Sequence, residues 1–440
     1  MTEINENLIM NIYKNPSKET WLQLTQRPQL ELEFLEGTVR NILQRVKKSG
    51  DEAVREFTFQ FDNVKVQELL VSKEALAAAE KSITPALKDA IRIAAQNIER
   101  FHAAQKIEPE KVETTPGVLC WRKSVPIEKV GIYIPGGSAP LFSTVLMLGI
   151  PAKLAGCREV VLCSPPDSDG QINAAILFAA TLVGITRVFK VGGAQAIGAM
   201  AFGTESISKV YKIFGPGNQF VTKAKQMILE EGLAIDMPAG PSEVLIMADD
   251  SSDASFVAAD LLSQAEHGED SQVILVVNDE KLIPAIQLEI DKQLVNLPRR
   301  TLAQKSLANS RVIVLEDLPT ATEFVNEYAP EHLIINMHRA EEIASKIINA
   351  GSVFLGNYSP EAIGDYASGT NHTLPTNGYA KAFSGVSLES FMKTITYQQL
   401  TPAGLERLGP VVEQMAEAEQ LMAHKMAVRV RLESLKKNKD

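Results

Sequence analysis

Val130-Gly131-Ile132-Tyr133-Ile134 runs straight into Pro135-Gly136-Gly137-Ser138, a short apolar run halted by a glycine-rich turn. Bounded this way, the run reads as a buried strand. The pattern then repeats. Val160 to Cys163 is a second such run, Val188 to Val191 ends in Gly192-Gly193-Ala194-Gln195-Ala196-Ile197-Gly198, and Val210 to Phe214 ends in Gly215-Pro216-Gly217-Asn218. Helical stretches lie between them, and βα alternation implies a parallel sheet with covering helices. A second series follows the breaker-rich Met237-Pro238-Ala239-Gly240-Pro241: Val244 to Met247, Val273 to Val277, Val312 to Leu315, Leu333 to Ile335 and Val353 to Leu355. Two α/β units are therefore expected.

Outward from these series the chain is helical. Residues 1–30 are expected to form an N-terminal helical segment without a motif. From Glu31 to Lys106 the helical pattern continues, with Thr84-Pro85 as an N-cap followed by proline at the first helical position. Ser359 to Ser390 is rich in Gly, Ser, Thr and Asn, and a loop this long inside a compact enzyme is usually functional. From Pro402 to Lys437 the chain returns to helix, with Val411, Met415, Met422, Met426 and Val430 set among charges. That tail has no sheet of its own to complete, so it must pack on the body or on a neighbouring subunit.

Composition narrows the function. At 440 residues the chain exceeds what one hydrophobic core usually supports, and 45% hydrophobic residues suit a packed soluble enzyme. The net charge of −10 is dispersed, and the only basic cluster is Lys436-Lys437-Asn438-Lys439, so no nucleic-acid partner is expected. Met1 to Met10 is polar and acidic where a signal peptide would be basic and then apolar, which predicts a cytoplasmic protein. Leu141 to Leu154, the longest apolar candidate, is broken by Gly149, Pro151 and Lys153 and falls short of the ~18 residues of a membrane helix. Cys120, Cys157 and Cys163 have no C-x-x-C spacing and read as small buried apolar residues.

Four of the six histidines sit beside carboxylates or amides in short segments: Gln264-Ala265-Glu266-His267-Gly268, Pro330-Glu331-His332, Gly364-Asp365 to Asn371-His372, and Glu419 to His424. Neutral imidazole, carboxylate and amide oxygen form the ligand set of a borderline divalent metal such as zinc. Gln264 and His267, three apart on a helix, face the same way. Glu419 and His424, read on one terminal helix, would be roughly 140° apart around its axis and could not bind one ion side by side. Glu331-His332 opens a strand, where a carboxylate beside an imidazole suits proton transfer. The glycine turns admit a phosphate at a helix N-terminus, although none matches G-x-G-x-x-G and ordinary tight βα turns stay open as a reading.

Tyr133-Ile134-Pro135-Gly136-Gly137, Gly192 to Ile197, Gly215-Pro216-Gly217-Asn218, Gly240-Pro241-Ser242-Glu243, Ser263 to Gly268, Tyr328 to Leu333 and Gly364 to His372 are together highly specific. In these motifs the chain, from about Lys106 to its C-terminus, resembles the histidinol dehydrogenase family. The resemblance implies two Rossmann-like parallel-sheet α/β units of the aldehyde dehydrogenase/histidinol dehydrogenase kind, with N-terminal helices and a helical C-terminal tail. It implies a main domain of residues 31–130 and 241–385, an inserted NAD-binding domain of residues 131–240, and a dimer-swapped tail of residues 386–440. The implied reaction is the zinc-dependent, four-electron oxidation of L-histidinol to L-histidine through the aldehyde, with two NAD⁺, as the last step of histidine biosynthesis.

Carried over residue by residue, the zinc ligands (one ion per subunit) are Gln264, His267, Asp365 and His424. These four also touch the substrate. Glu331 and His332 are the acid-base pair, Ser242, His332, His372 and Glu419 join the substrate site, and Tyr133, Gln195 and Asn218 contact NAD⁺. The implied assembly is a homodimer whose tail reaches into the partner's site. Read from the residues alone, three rivals stand beside this: a zinc hydrolase with Glu331 activating water, an aldehyde dehydrogenase with Cys157 or Cys163 as nucleophile, and a metal-stabilised binding module without turnover.

Overall fold

The computed structural model describes residues 10–28, 33–136, 140–238 and 240–437. The polar start before Met10, Gly137 and Ser138 of the first glycine turn, Ala239 and the Asn438-Lys439 end of the basic cluster lie outside the described residues. Two compact units divide the chain: Met1–Gln105 with Ile127–Phe391, and Lys106–Pro126 with Met392–Asp440.

The first unit holds both parallel sheets. One has five strands, in spatial order Arg187–Lys190, Glu159–Ser164, Lys129–Tyr133, Lys212–Phe214, Ala234–Ile235. In chain order that is 3-2-1-4-5, the Rossmann arrangement, whose crevice opens where the order reverses. The other sheet repeats it: Arg311–Val314, Gln272–Val277, Glu243–Ala248, His332–Asn336, Ser352–Leu355 are again 3-2-1-4-5. All nine strands expected from the sequence are present. A sixth strand, Asn11–Lys14, adds parallel to Arg311–Val314 at the edge. Within the expected N-terminal helical segment, the described residues 10–28 form this strand followed by the helix Lys18–Leu24. Four residues, only half-buried, are too few to show a period.

Burial explains the legibility of the rest. Every residue of Glu243–Ala248 and of Gln272–Val277 is buried, because helices cover both faces of a parallel sheet and its strands become continuous apolar runs. Helix Phe142–Ala155 is buried from Ser143 to Ala152 and is apolar all round, as a helix wedged inside a core must be. Between Glu33 and Ala103 the helices are Glu33–Asp62, Lys73–Ser82 and Pro85–Ala103, the last capped by Thr84, whose side chain accepts from Leu87 N–H at 3.2 Å.

The second unit was legible only in part. Its antiparallel sheet, Met392–Leu400, Val118–Pro126 and Lys111–Thr115, is missing from the sequence reading, which treated residues 386–440 as a helical tail. Seven of the nine residues of Met392–Leu400 are exposed, so no alternation of buried and polar positions marks it. The terminal helix is also two helices, Pro402–Ala418 and Met422–Lys437, turned back on each other at Gln420 (φ 58°). Lys425 meets Glu417 at 2.7 Å and Arg429 meets Glu413 at 2.8 Å across the hairpin. The left-handed stop falls on glutamine instead of glycine, which hid it. The angular argument that separated Glu419 from His424 on one helix therefore does not apply.

A buried ion pair ties the N-terminal segment to the larger sheet. Arg27 Nε and Nη2 donate to the two oxygens of Glu243 at 2.6 and 3.1 Å, and Nη2 also donates to the Tyr328 carbonyl at 2.6 Å. The guanidinium lies 3.7 Å from the centre of the Tyr328 ring. Removing one partner of such a pair strands the other charge, so Arg27→Ala should lose about 3–5 kcal/mol in urea unfolding. A loss below about 1 kcal/mol would mean that the pair is not fixing this edge of the sheet.

Candidate active site

The site residues of the first unit gather at the amino end of the six-stranded sheet. Glu243 opens the central strand and His332 opens its neighbour, with His332 in register with Val244. Two backbone groups of one residue hold the expected acid-base pair: Glu243 N–H donates to Glu331 Oε2 at 2.9 Å, and Glu243 C=O lies 3.3 Å from His332 Nδ1. A proton on Nδ1 satisfies that carbonyl. Nε2 is buried and lies at ion-pair distance from Asp365 Oδ1, 3.4 Å, without a hydrogen bond among the described residues. Ala329, in the left-handed region at φ 52°, ends helix Leu318–Tyr328 and turns the chain into this strand.

Gln264 closes the helix Ala254–Ala265, and His267 follows it, held on the same side by its N–H to the Gln264 carbonyl at 3.2 Å. Asp365 does not sit in an irregular loop. It lies on the short helix Glu361–Tyr366, where it shares a face with Glu361, four positions earlier. Donor atoms of His267, Glu361 and Asp365 all lie within 4.8 Å of one another. Sequence reasoning passed over Glu361, although Ser359-Pro360-Glu361 is a legible helix start and the i,i+4 carboxylates a legible pair. With its amide oriented to satisfy both ends, Gln264 donates to Glu361 Oε1 at 2.5 Å and accepts from Glu243 N–H at 2.8 Å.

His372 is spent on positioning. Nδ1 donates to the Asp365 carbonyl at 2.8 Å, while Nε2 faces Thr144 Oγ1 at 3.0 Å. Ser242 is half-buried at the start of the central strand. Thr144 lies in the first turn of the helix that follows strand Lys129–Tyr133, at the carboxyl end of the five-stranded sheet. His372 therefore ties the amino end of one sheet to the carboxyl end of the other.

At that carboxyl end a cavity of about 700 Å³ opens among Tyr133, Gly136, Pro165, Gly193, Gln195 and Asn218. Tyr133, Gln195 and Asn218, expected at NAD⁺, all line it. Gly215 (φ 122°) passes so close to Tyr133 that a Cβ there would lie 2.0 Å from its carbonyl oxygen. Gly193 opens a helix and donates its N–H to the Tyr133 hydroxyl at 3.0 Å. Gln195 Oε1 is buried without a partner, and Asn218 caps the next helix through Phe220 and Val221 N–H, both at 3.1 Å. A helix N-terminus and a bare backbone suit a dinucleotide phosphate, and the Gln195 oxygen, which can only accept, suits a hydroxyl or N–H of such a ligand.

The histidinol dehydrogenase family model matches residues 25–432. This chain belongs to the histidinol dehydrogenase family. Histidinol dehydrogenase of Bacteroides thetaiotaomicron is 58% identical over 428 residues, spanning 97% of this chain and 100% of the relative. That of Yersinia pestis is 51% identical over 438 residues, spanning 99% and 98%. The crystal structure of histidinol dehydrogenase from Elizabethkingia anophelis superposes with a TM-score of 0.96 at 55% identity, over 98% of this chain and 99% of that one. Membership places the chain among the NAD-dependent oxidoreductases.

Within a histidinol dehydrogenase fold the expected residues fall into two sets. Gln264, His267, Asp365, Glu331, His332 and His372 come together in the first unit, whereas Glu419 and His424 belong to the second unit and are exposed there. Burial pushes the Cys157 thiol up to about 11 and the Cys163 thiol further, so neither offers a thiolate. A second acidic group, Asp249, Asp250 and His338, is a capped turn: Asp249 already accepts from Ser251 N–H, Ser251 Oγ and His338 N–H at 3.0, 2.5 and 2.8 Å. Among the described residues no helix is long and apolar enough to cross a membrane.

The donor set near His267 fits a divalent cation. Burial pushes the Glu331 carboxyl up to about 8 and raises that of Glu361, while Asp260 on the adjoining helix rises to about 7 for the same reason. Burial opposes charge on His332, yet Glu361, Glu331 and Asp365 around it raise its pKa well above the ordinary value. Burial also works against the Asp365 charge, but His332, His372 and His267 keep its pKa low. The protein packed round His267, itself open to solvent on one side, lowers its imidazole pKa and favours the neutral, ligating form. Glu361 Oε2, buried without a hydrogen-bond partner among the described residues, marks a centre short of positive charge.

Metal-free protein should therefore weaken as pH rises. Glu331 keeps its proton in the fold up to about 8, whereas the unfolded chain releases it near 4.5, so its contribution is lost across that window. His332 acts with the same sign: its favourable charge is fully present below 6.5 and is lost as pH passes its raised pKa. Asp365 opposes them only at acid pH, its contribution being complete above 3.8, and His267 and His372, whose pKa values are lowered by the protein packed round them, oppose them up to about 6.5. In chelator the thermal midpoint should therefore fall between pH about 6.5 and 8, and zinc should flatten that fall. A midpoint that is level or rising in chelator contradicts the charge assignment.

Proposed function

We propose that the protein oxidises L-histidinol through L-histidinal to L-histidine, zinc-dependently and with two NAD⁺ in succession, as the last step of histidine biosynthesis in the cytoplasm. The observation that carries this is the Thr144–His372 hydrogen bond at 3.0 Å, which brings the acid-base pair and the metal-fit residues to the mouth of the cofactor sheet. Hydride transfer needs such adjacency. The 131–240 segment serves in this reading as the NAD-binding domain, with Tyr133, Gln195 and Asn218 at the cofactor, while residues 31–130 and 241–385 carry the chemistry.

Gln264, His267 and Asp365 hold the zinc, with His424 as the remaining ligand. The ion, when bound, supplies positive charge that keeps the amine and imidazole nitrogens of the substrate unprotonated. NAD⁺, when bound, would supply the hydride acceptor for each half-reaction. His332 Nε2 accepts the hydroxyl proton as the alcohol becomes the aldehyde, acting as the neutral imidazole left once a bound cation answers the Asp365 and Glu361 carboxylates that otherwise hold its proton. Glu331, in the ionised form that its raised pKa of about 8 favours only on the alkaline side, removes a proton from the water that adds to the aldehyde, and His332 again accepts the hydroxyl proton as the second hydride leaves. Ser242, His372 and Glu419 join the substrate site, His372 by fixing Asp365.

Product analysis tests the stoichiometry: two NADH and one histidine for each histidinol, abolished by chelation and restored by zinc. A single NADH, with histidinal as the end product, contradicts the four-electron reading. Glu331→Gln should impair oxidation of supplied histidinal more than that of histidinol, and His332→Asn should harm both. Equal losses for the two substrates in Glu331→Gln would remove the division of labour.

A homodimer with shared sites explains the second unit. Met415 and Met422 are 60% and 55% exposed on its helical hairpin, as are Val411, Met426 and Val430 to a similar degree, an apolar stripe that calls for a cover. His424 and Glu419 stand exposed on the same hairpin. Residues 386–440 cross, in this reading, to the partner's site. Mixing His424→Ala chains with His267→Ala chains should then restore about a quarter of wild-type activity, since half the dimers are mixed and each has one intact site. Confirmed mixed dimers without activity would return His424 to its own chain.

A further inference from the structure

Glu361 is 1% exposed, as is Glu243, and the comparison between them is instructive. Both Glu243 oxygens accept from Arg27, so its buried charge is fully answered. Glu361 has no such solution: Oε1 meets only the Gln264 amide, and Oε2 has no hydrogen-bond partner among the described residues. A buried carboxylate left in that condition costs stability unless it serves something else. A Glu361 oxygen lies within 4.8 Å of the donor atoms of His267 and Asp365.

Gln264 is the weak member of the metal set, because an amide can present either its oxygen or its NH₂ to an ion and only the oxygen binds. A neighbouring carboxylate, ionised once a cation answers its buried charge, removes that ambiguity. It is acceptor-only, so the NH₂ must face it. With Glu361 Oε1 taking the NH₂ at 2.5 Å, the amide oxygen turns to Glu243 N–H at 2.8 Å, and its second lone pair is available.

We propose that Glu361 is a positioning residue of the metal centre, whose carboxylate locks the Gln264 amide with its oxygen presented as a ligand. The inference rests on the reading of this cluster as the zinc site. Partners of this kind, behind a ligand, change metal affinity by about 10–100-fold when lost.

Zinc affinity, measured by competition with a chromophoric chelator on the full-length protein, is the direct readout. Glu361→Gln presents a neutral amide that can donate or accept, so the orientation is released and zinc should bind about 10–100-fold more weakly. Metal-free Glu361→Gln should unfold at a temperature no lower than metal-free wild type, because a buried, half-unanswered carboxylate has been removed. Glu361→Asp keeps the charge and shortens the reach by one methylene, and should also weaken zinc binding. In a Gln264→Ala background, Glu361→Gln should add less than threefold to the loss, since it acts through Gln264.

Wild-type affinity in both Glu361 variants overturns the proposal, as does a full additive loss in the Gln264→Ala background. A metal-free Glu361→Gln protein that is markedly less stable than wild type overturns it too, by showing a purely structural role. Failure of the wild-type protein to bind zinc at all would instead overturn the metal reading, and the proposal with it.

Discussion

Buried negative charge is the constraint on which the rest of the site depends. Glu243, Glu331 and Glu361 are 1%, 6% and 1% exposed, and Asp365 is held beside them on the Glu361–Tyr366 helix. Arg27 answers Glu243 alone. The others are answered by His332, by raised carboxyl pKa values and by hydrogen bonds from backbone and amide groups. A fold that gathers carboxylates out of water is stable only if protons or a cation join them. In the proposed function, proton chemistry and metal binding draw on the same unbalanced charge, so Glu331 and His332 would stand beside the metal-fit cluster for one physical reason.

The sheets make that adjacency possible. Ligands of open α/β sheets usually collect at the carboxyl ends of strands, and the cavity of the five-stranded sheet obeys that rule. The cluster of buried carboxylates and histidines does not. It sits at the amino ends of Glu243–Ala248 and His332–Asn336, where the strand-opening backbone of Glu243 holds both Glu331 and His332. His372, joined to Asp365 on one side and Thr144 on the other, links the carboxyl end of one sheet to the amino end of its counterpart. Neither repeat of the 3-2-1-4-5 order would suffice alone.

How much of this could be read from residues follows from burial. Strands covered on both faces write themselves as apolar runs between glycines, and all nine were legible. Asn11–Lys14, four half-exposed residues at an edge, and Met392–Leu400, exposed along most of its length, carry no such period. Within the site, histidines in polar segments announced His267, His332 and His372. Arg27 gave no signal because its partner lies 216 positions away. Glu361 was passed over inside a stretch read as loop: its six-residue helix is too short to establish a repeat, and only the Ser359-Pro360 start and the i,i+4 pairing with Asp365 mark it. The hairpin reversal at Gln420 lacked the glycine that usually marks it.

Anomalous diffraction at the zinc absorption edge, on crystals of the zinc-loaded protein, bears most directly on the claim that buried negative charge specifies the centre. The account predicts one strong peak per chain, bounded by Gln264, His267 and Asp365 with Glu361 beside it. No peak there, or the principal peak at Asp249, Asp250 and His338 instead, would contradict it.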